Sequence, residues 1–151
     1  ADAWDAAGHK RLADFAEAGG RLAVLGGPFT LGQGFFKNSL LERVLPVEVR
    51  VARDVYQAPA PLPMGAAKGR PFADRPLLYY FHAVKARPDA TPLLWAGELP
   101  ILWERKAGKG SSVVFAGSPL GEAGTAQETP FWKSRAWLEG FGRALVGPLA
   151  P

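Results

Sequence analysis

From about residue 5 to residue 18, apolar positions recur at helical spacing. Trp4, Leu12 and Phe15 carry the pattern with Ala16 beside them, while Lys10, Arg11, Asp14 and Glu17 fall on other faces. This predicts an amphipathic helix with His9 on its surface. Gly19-Gly20 then supplies a stop, because glycine accepts the left-handed cap conformation without a side-chain clash. Arg21-Leu22-Ala23-Val24-Leu25 follows, a short apolar run bounded by glycines, which predicts a strand buried on both faces as in a parallel sheet. Helix, glycine pair, buried strand and Gly-rich turn form the second half of a βαβ unit. The partner strand of such a unit lies before the helix, and almost nothing stands there. The expectation is a strand missing from the front of the chain or supplied from elsewhere in an assembly.

Gly26 to Phe36 reads as a loop. Ser39-Leu40-Leu41-Glu42 matches a capping box, in which the hydroxyl and the carboxylate satisfy each other's backbone N–H groups, and it opens a short helix to about Val44. Val47-Glu48-Val49-Arg50-Val51 alternates and predicts a half-exposed strand. Residues 54–76 hold Pro59, Pro61, Pro63, Pro71 and Pro76 and read as a long irregular Pro/Ala-rich excursion. The second half reads as antiparallel, with strands at Leu78 to Ala86, Pro92 to Ala96, Ile101 to Arg105 and Ser112 to Ala116. Thr129 and Pro130 are expected to cap and open a last helix whose apolar face is Trp137, Leu138, Phe141 and Leu145, ending near Gly147-Pro148.

Composition narrows the chemistry. The 151 residues contain no cysteine, which removes disulfides, thiolate metal sites and cysteine nucleophiles, and leaves cytoplasm and periplasm equally open. The net charge of +4 is modest, and no Lys/Arg block exceeds two residues, so a nucleic-acid partner is not expected. No run approaches the ~20 apolar residues of a membrane span. Two separated histidines, His9 and His82, make neither a metal site nor a cofactor expected. His82 lies among Tyr79, Tyr80 and Phe81, which favours a packed, hydrogen-bonded role over that of a base.

The loop Gly26-Gly27-Pro28-Phe29-Thr30-Leu31-Gly32-Gln33-Gly34 sits where α/β proteins place ligands, but no Gly-Lys-Ser/Thr follows and Pro28 removes an amide donor. If the strand ending at Ala116 runs parallel to the one ending at Leu25, the loops after both share one edge of the sheet. A crevice there would be lined by Thr30, Gln33, Ser118, Gln127 and Thr129, with Phe29 and Trp132 as walls, and a small molecule or sugar would be its ligand.

The stretch Phe15-Ala16-Glu17-Ala18-Gly19-Gly20-Arg21-Leu22-Ala23-Val24-Leu25-Gly26-Gly27 is similar to the F-x-x-x-G-G-x-L segment of class I glutamine amidotransferase-like domains. Leu45-Pro46-Val47 and the segment from Gly108-Lys109-Gly110 to Phe115-Ala116-Gly117 also resemble bacterial members of that superfamily. The resemblance implies a flavodoxin-like three-layer α/β sandwich. It implies a partly parallel sheet with antiparallel strands in the second half, lacking its first strand. True amidotransferases carry a Cys at the elbow and a His-x-Glu pair; here the elbow reads Gly26-Gly27-Pro28-Phe29-Thr30, and Ala83-Val84 follows His82. No catalytic residue carries over. The expectation is a single domain, or the C-terminal portion of one, that is catalytically inert. It would serve as a binding or protein-interaction module in a larger bacterial protein. The alternative is a hydrolase or carbohydrate-active enzyme working in the crevice.

Overall fold

The computed structural model describes residues 5–147. Helix α1 spans Ala6–Glu17, and the Asp5 carboxylate caps it by accepting from the Gly8 amide at 2.6 Å. Gly19 ends it at φ +121°, a conformation that side-chain-bearing residues avoid. The buried stripe is Gly8, His9, Ala13 and Ala16, while Phe15 is 53% exposed; Trp4 lies outside the described residues. The stripe is built of small residues because the chain at Gly110 presses on the last turn: a Cβ there would stand 2.3 Å from the Ala16 carbonyl oxygen. His9 is a correction to the surface placement expected for it. It is buried, edge-on to Phe36 with ring centroids 5.2 Å apart, because its side of α1 faces the loop that returns from the sheet.

The strands are β1 (Arg21–Leu25), β2 (Val47–Val49), β3 (Val55–Ala67), β4 (Arg70–Pro71), β5 (Leu77–His82), β6 (Val84–Ala86), β7 (Thr91–Ala96), β8 (Leu99–Ala107), β9 (Gly110–Phe115) and β10 (Gly117–Ser118). The main sheet has the order β1-β9-β8-β7-β3-β5-β10, with β4 beside β3, and β2 pairs with β6 in a separate ribbon. β1 and β9 run parallel, from Arg21 opposite Ser111 to Leu25 opposite Phe115, and the remaining pairs are antiparallel.

Three layers result. Helix α2 (Leu40–Val44) packs with α1 on one face, where the Ser112 hydroxyl donates to the Val44 carbonyl. Helix α3 (Arg135–Val146) lies on the other, where Phe115 meets Phe131, Trp137 and Phe141 at 5.3–5.4 Å in tilted and edge-to-face pairs. Such pairs add about 1 kcal/mol each beyond the area they bury. The Arg21 guanidinium pins α3 to the sheet. It donates to the carbonyls of Ala144 and Leu145 and also reaches Glu104 and Ser111. Carbonyls at a helix C-terminus are unpaired within the helix, so a cation there fits both their geometry and the dipole.

Four further expectations are corrected. β1 is not buried on both faces: it is an edge strand, with Leu22 and Val24 under the α1/α2 layer and Ala23 and Leu25 outside. A five-residue apolar run cannot by itself tell an edge from a centre. Residues 54–76 are not an irregular excursion, because thirteen of them form β3. Two of its prolines are tolerated where the ladder lapses: pairing with β5 stops at Gln57 and resumes at Leu62, leaving Pro59 and Pro61 in the gap, while Pro63 sits in the resumed pairing opposite Leu77. The expected strand from Leu78 to Ala86 is two, broken where the Ala83 amide turns to the Asp54 carbonyl. The last helix is capped by Ser134, not Thr129, after a 3-10 turn at Phe131–Lys133. The capping box forms on one side only. Ser39 accepts from Glu42, but the Glu42 carboxylate, almost fully buried, accepts instead from Asn38 and Val49, each at 2.6 Å. One carboxylate thereby joins the loop, α2 and β2.

Candidate functional site

The loop of residues 26–38 leaves the C-terminal end of β1 and is held from beneath by a buried pair. His82 ends β5, and Asp54 immediately precedes β3; both side chains are fully buried. The imidazole Nδ1 and the Asp54 Oδ1 are 2.9 Å apart. The Gly27 amide donates to Nε2 at 3.0 Å, and the Gly32 amide donates to Asp54 Oδ2 at 3.1 Å. A backbone N–H can only donate, so Nε2 is the unprotonated nitrogen, and Nδ1 carries the hydrogen given to Asp54. Both ring nitrogens and both carboxylate oxygens are consumed in fixing two loop amides.

Glycine is required at two of these positions. A Cβ on Gly26 would stand 2.3 Å from the Gly117 carbonyl oxygen, and one on Gly32 would stand 2.3 Å from that of Val51. The loop also stores strain. Leu31, Phe35 and Asn38 have φ of 52°, 60° and 60°. Each costs on the order of 1 kcal/mol for a residue with a side chain. Leu31 is completely buried, which helps hold its conformation. Phe29 and Phe35 are different: they project with 74% and 78% of their surface exposed. The loop is thus a fixed platform displaying two phenyl rings.

Because β9 is parallel to β1, the segment after β10 does leave the sheet near this loop. The residues singled out in the sequence nonetheless occupy different places. Thr129 and Trp132 line a cavity of about 660 Å³ together with Glu122, Thr125, Glu128 and Lys133. Trp132 packs edge-on to Tyr79, whose hydroxyl donates to Glu128 at 3.2 Å. Burial and that carboxylate both hold the Tyr79 phenol above its ordinary pKa. Thr30 lines a smaller apolar cavity with Leu12, Phe36 and Leu41. Gln33 is half-buried in the loop, Gln127 is exposed, and Phe29 stands in solvent. Ser118 is fully buried opposite Tyr80, and its Oγ has no hydrogen-bond partner among the described residues. His82 Nε2 faces Gly27, not a hydroxyl, so the arrangement holds no nucleophile–base pair. Among the described residues there is no cluster of three or more metal-ligating side chains, and no helix is long and apolar enough to cross a membrane.

Asp54 escaped the sequence reading. It stood at the head of a Pro-rich stretch, and its partners lie 22 and 28 residues away. Only the placement of His82 as a packed, hydrogen-bonded residue pointed to this pair.

No protein-family profile and no curated protein matches the chain. Among solved structures it is similar to a cytoplasmic protein from Salmonella typhimurium, STM3548, with a TM-score of 0.75 and 22% identity over 92% of this chain. A second cytoplasmic protein, STM1381 from Salmonella typhimurium LT2, gives a TM-score of 0.73 at 22% identity over 91% of this chain. The chain spans 59% of the length of each. The β-galactosidase from Rahnella sp. R3 matches more distantly, with a TM-score of 0.54 at 15% identity, over 93% of this chain and 21% of its own. At these identities the likeness is one of fold.

Proposed function

We propose that this chain is a catalytically inert domain of the class I glutamine amidotransferase-like type that works as a protein-interaction module. The rigid loop carrying Phe29 and Phe35 is its contact surface. The observation that carries this reading is the combination of strain, fixation and exposure in that loop. Two phenyl rings held in water on a preorganised backbone lose little further entropy on binding and gain the full benefit of burial. The absence of cysteine and the internal use of both His82 nitrogens support the inert reading. A second reading, a sugar-binding or carbohydrate-active crevice, draws on the cavity where Trp132 stands among Glu122, Glu128 and Thr129.

One experiment tests the choice. A photo-crosslinking residue at position 29 or 35 should give one dominant protein adduct in extracts of the source cells. Excess unlabelled chain should compete it away, and the same residue at exposed Gln127 should not give it. Crosslinks no different from those at Gln127 would remove the loop as an interface. Saturable quenching of tryptophan emission by simple glycosides, lost in Trp132→Ala, would move the function to the crevice.

A further inference from the structure

Residues 50–53, which join β2 to β3, lie against the loop that carries Phe29 and Phe35. A Cβ on Gly32 would stand 2.3 Å from the Val51 carbonyl oxygen, and Lys37 Nζ donates to the Arg50 carbonyl at 2.7 Å. Two segments separate in sequence thus form one surface. Val51, 44% exposed, adds an aliphatic side chain to the two phenyl rings.

The free charge on this surface is of one sign. Lys37, Arg50 and Arg53 are exposed, and none of them has an ion-pair partner among the described residues. The carboxylates of the same stretch are engaged. Glu42 and Asp54 are buried and accept from backbone amides, and Glu48 pairs with Arg87 at 3.1 Å. Asp5, one turn before His9 on α1, accepts from the Gly8 amide. Phe35 adds a second sign of use from outside. Its φ is 60°, a conformation glycine holds without the clash a side chain meets, yet its ring is 78% exposed. The fold gains little packing from a ring that strains its own backbone.

We propose that this surface binds an acidic, aliphatic segment of a partner protein. The carboxylates of that segment meet Lys37, Arg50 and Arg53, and its apolar side chains lie on Phe29, Phe35 and Val51. The inference rests on the reading of the loop as a protein contact and adds the chemistry of what is contacted. Guanidinium groups match carboxylates with paired hydrogen bonds, and arginine and aromatic side chains are enriched at protein interfaces. Two other anionic partners fit less well. Nucleic-acid binders make on the order of six to ten phosphate contacts, more than three cations supply. An anionic bilayer takes up phenyl rings in any direction, so a strained backbone that fixes their direction has no use there.

The test is fluorescence anisotropy of short labelled peptides of repeating Glu-Leu-Ser, Gln-Leu-Ser and Lys-Leu-Ser on the purified chain. The Glu peptide should bind saturably, about tenfold tighter than the Gln peptide at low salt, with the margin closing near 0.5 M salt. Arg50→Glu with Arg53→Glu should erase that margin without moving the urea midpoint, because neither side chain has a partner within the fold. Phe29→Ser with Phe35→Ser should weaken the Glu and Gln peptides alike. Equal affinity for the Glu and Gln peptides, or no binding of either, overturns the proposal. So does tighter binding to an oligo-dT strand or to phosphatidylserine vesicles than to the Glu peptide. The crosslink at position 29 or 35 separates the two levels. An adduct indifferent to the paired Arg→Glu changes keeps the loop as an interface and overturns its acidic partner, whereas loss of any specific adduct from the unaltered chain removes both.

Discussion

Asp54 has four roles in one place: it accepts a buried imidazole N–H, holds Gly32, sits at the head of β3, and lends its carbonyl to Ala83. Removing the carboxylate leaves a buried amide and a buried ring N–H without acceptors. Asp54→Ala should therefore cost roughly 3 kcal/mol in urea unfolding, while the isosteric Asp54→Asn costs less because one acceptor survives. His9 gives a pH signature. Burial lowers its pKa below the ordinary 6.5, and the Asp5 carboxylate opposes this only in part. Above that pH the ring is neutral in both states and contributes no slope. As pH falls through 6.5 the unfolded chain takes up a proton that the folded chain refuses, so stability drops. The urea midpoint should fall between about pH 7.5 and 5.5, and His9→Leu should flatten that fall.

Elements were legible where local chemistry acts alone. The first helix with its glycine stop, the Gly-rich loop, and the strands after residue 90 follow from periodicity and turn residues. The failures share a cause. The Pro-rich stretch forms a strand because the ladder to β5 lapses at Pro59 and Pro61, and no local pattern records a gap in a neighbour's pairing. The last helix begins late because Ser134 has two partners: it accepts from Trp137 at 3.0 Å and donates to Asp74 at 2.7 Å, sixty residues away. Ser134→Ala should cost about 1–2 kcal/mol, since cap and tertiary bond go together, whereas Thr129→Ala should cost α3 nothing as a cap. Scanning calorimetry on the two variants checks the difference.

At the level of the molecule, the candidate crevice was legible as an edge of the sheet and not as a cavity. The parallel sense of β1 and β9 does bring two loops to one end. What sequence could not convey is that the first loop is tied down by a buried pair, while Trp132 and Thr129 turn to a cavity of their own. Side-chain direction depends on the α3 layer and on Tyr79, both remote in the chain.

The register of β1 on β9 also bears on synthesis. Arg21 and Ser111 stand 90 residues apart in the chain. At roughly 5–20 residues per second, Leu22 and Val24 leave the ribosome about 5 to 20 seconds before the strand that will shelter them exists. A nascent chain in that interval carries an adhesive aliphatic segment with nowhere to go, and it is then, more than in the finished protein, that a chaperone would find it.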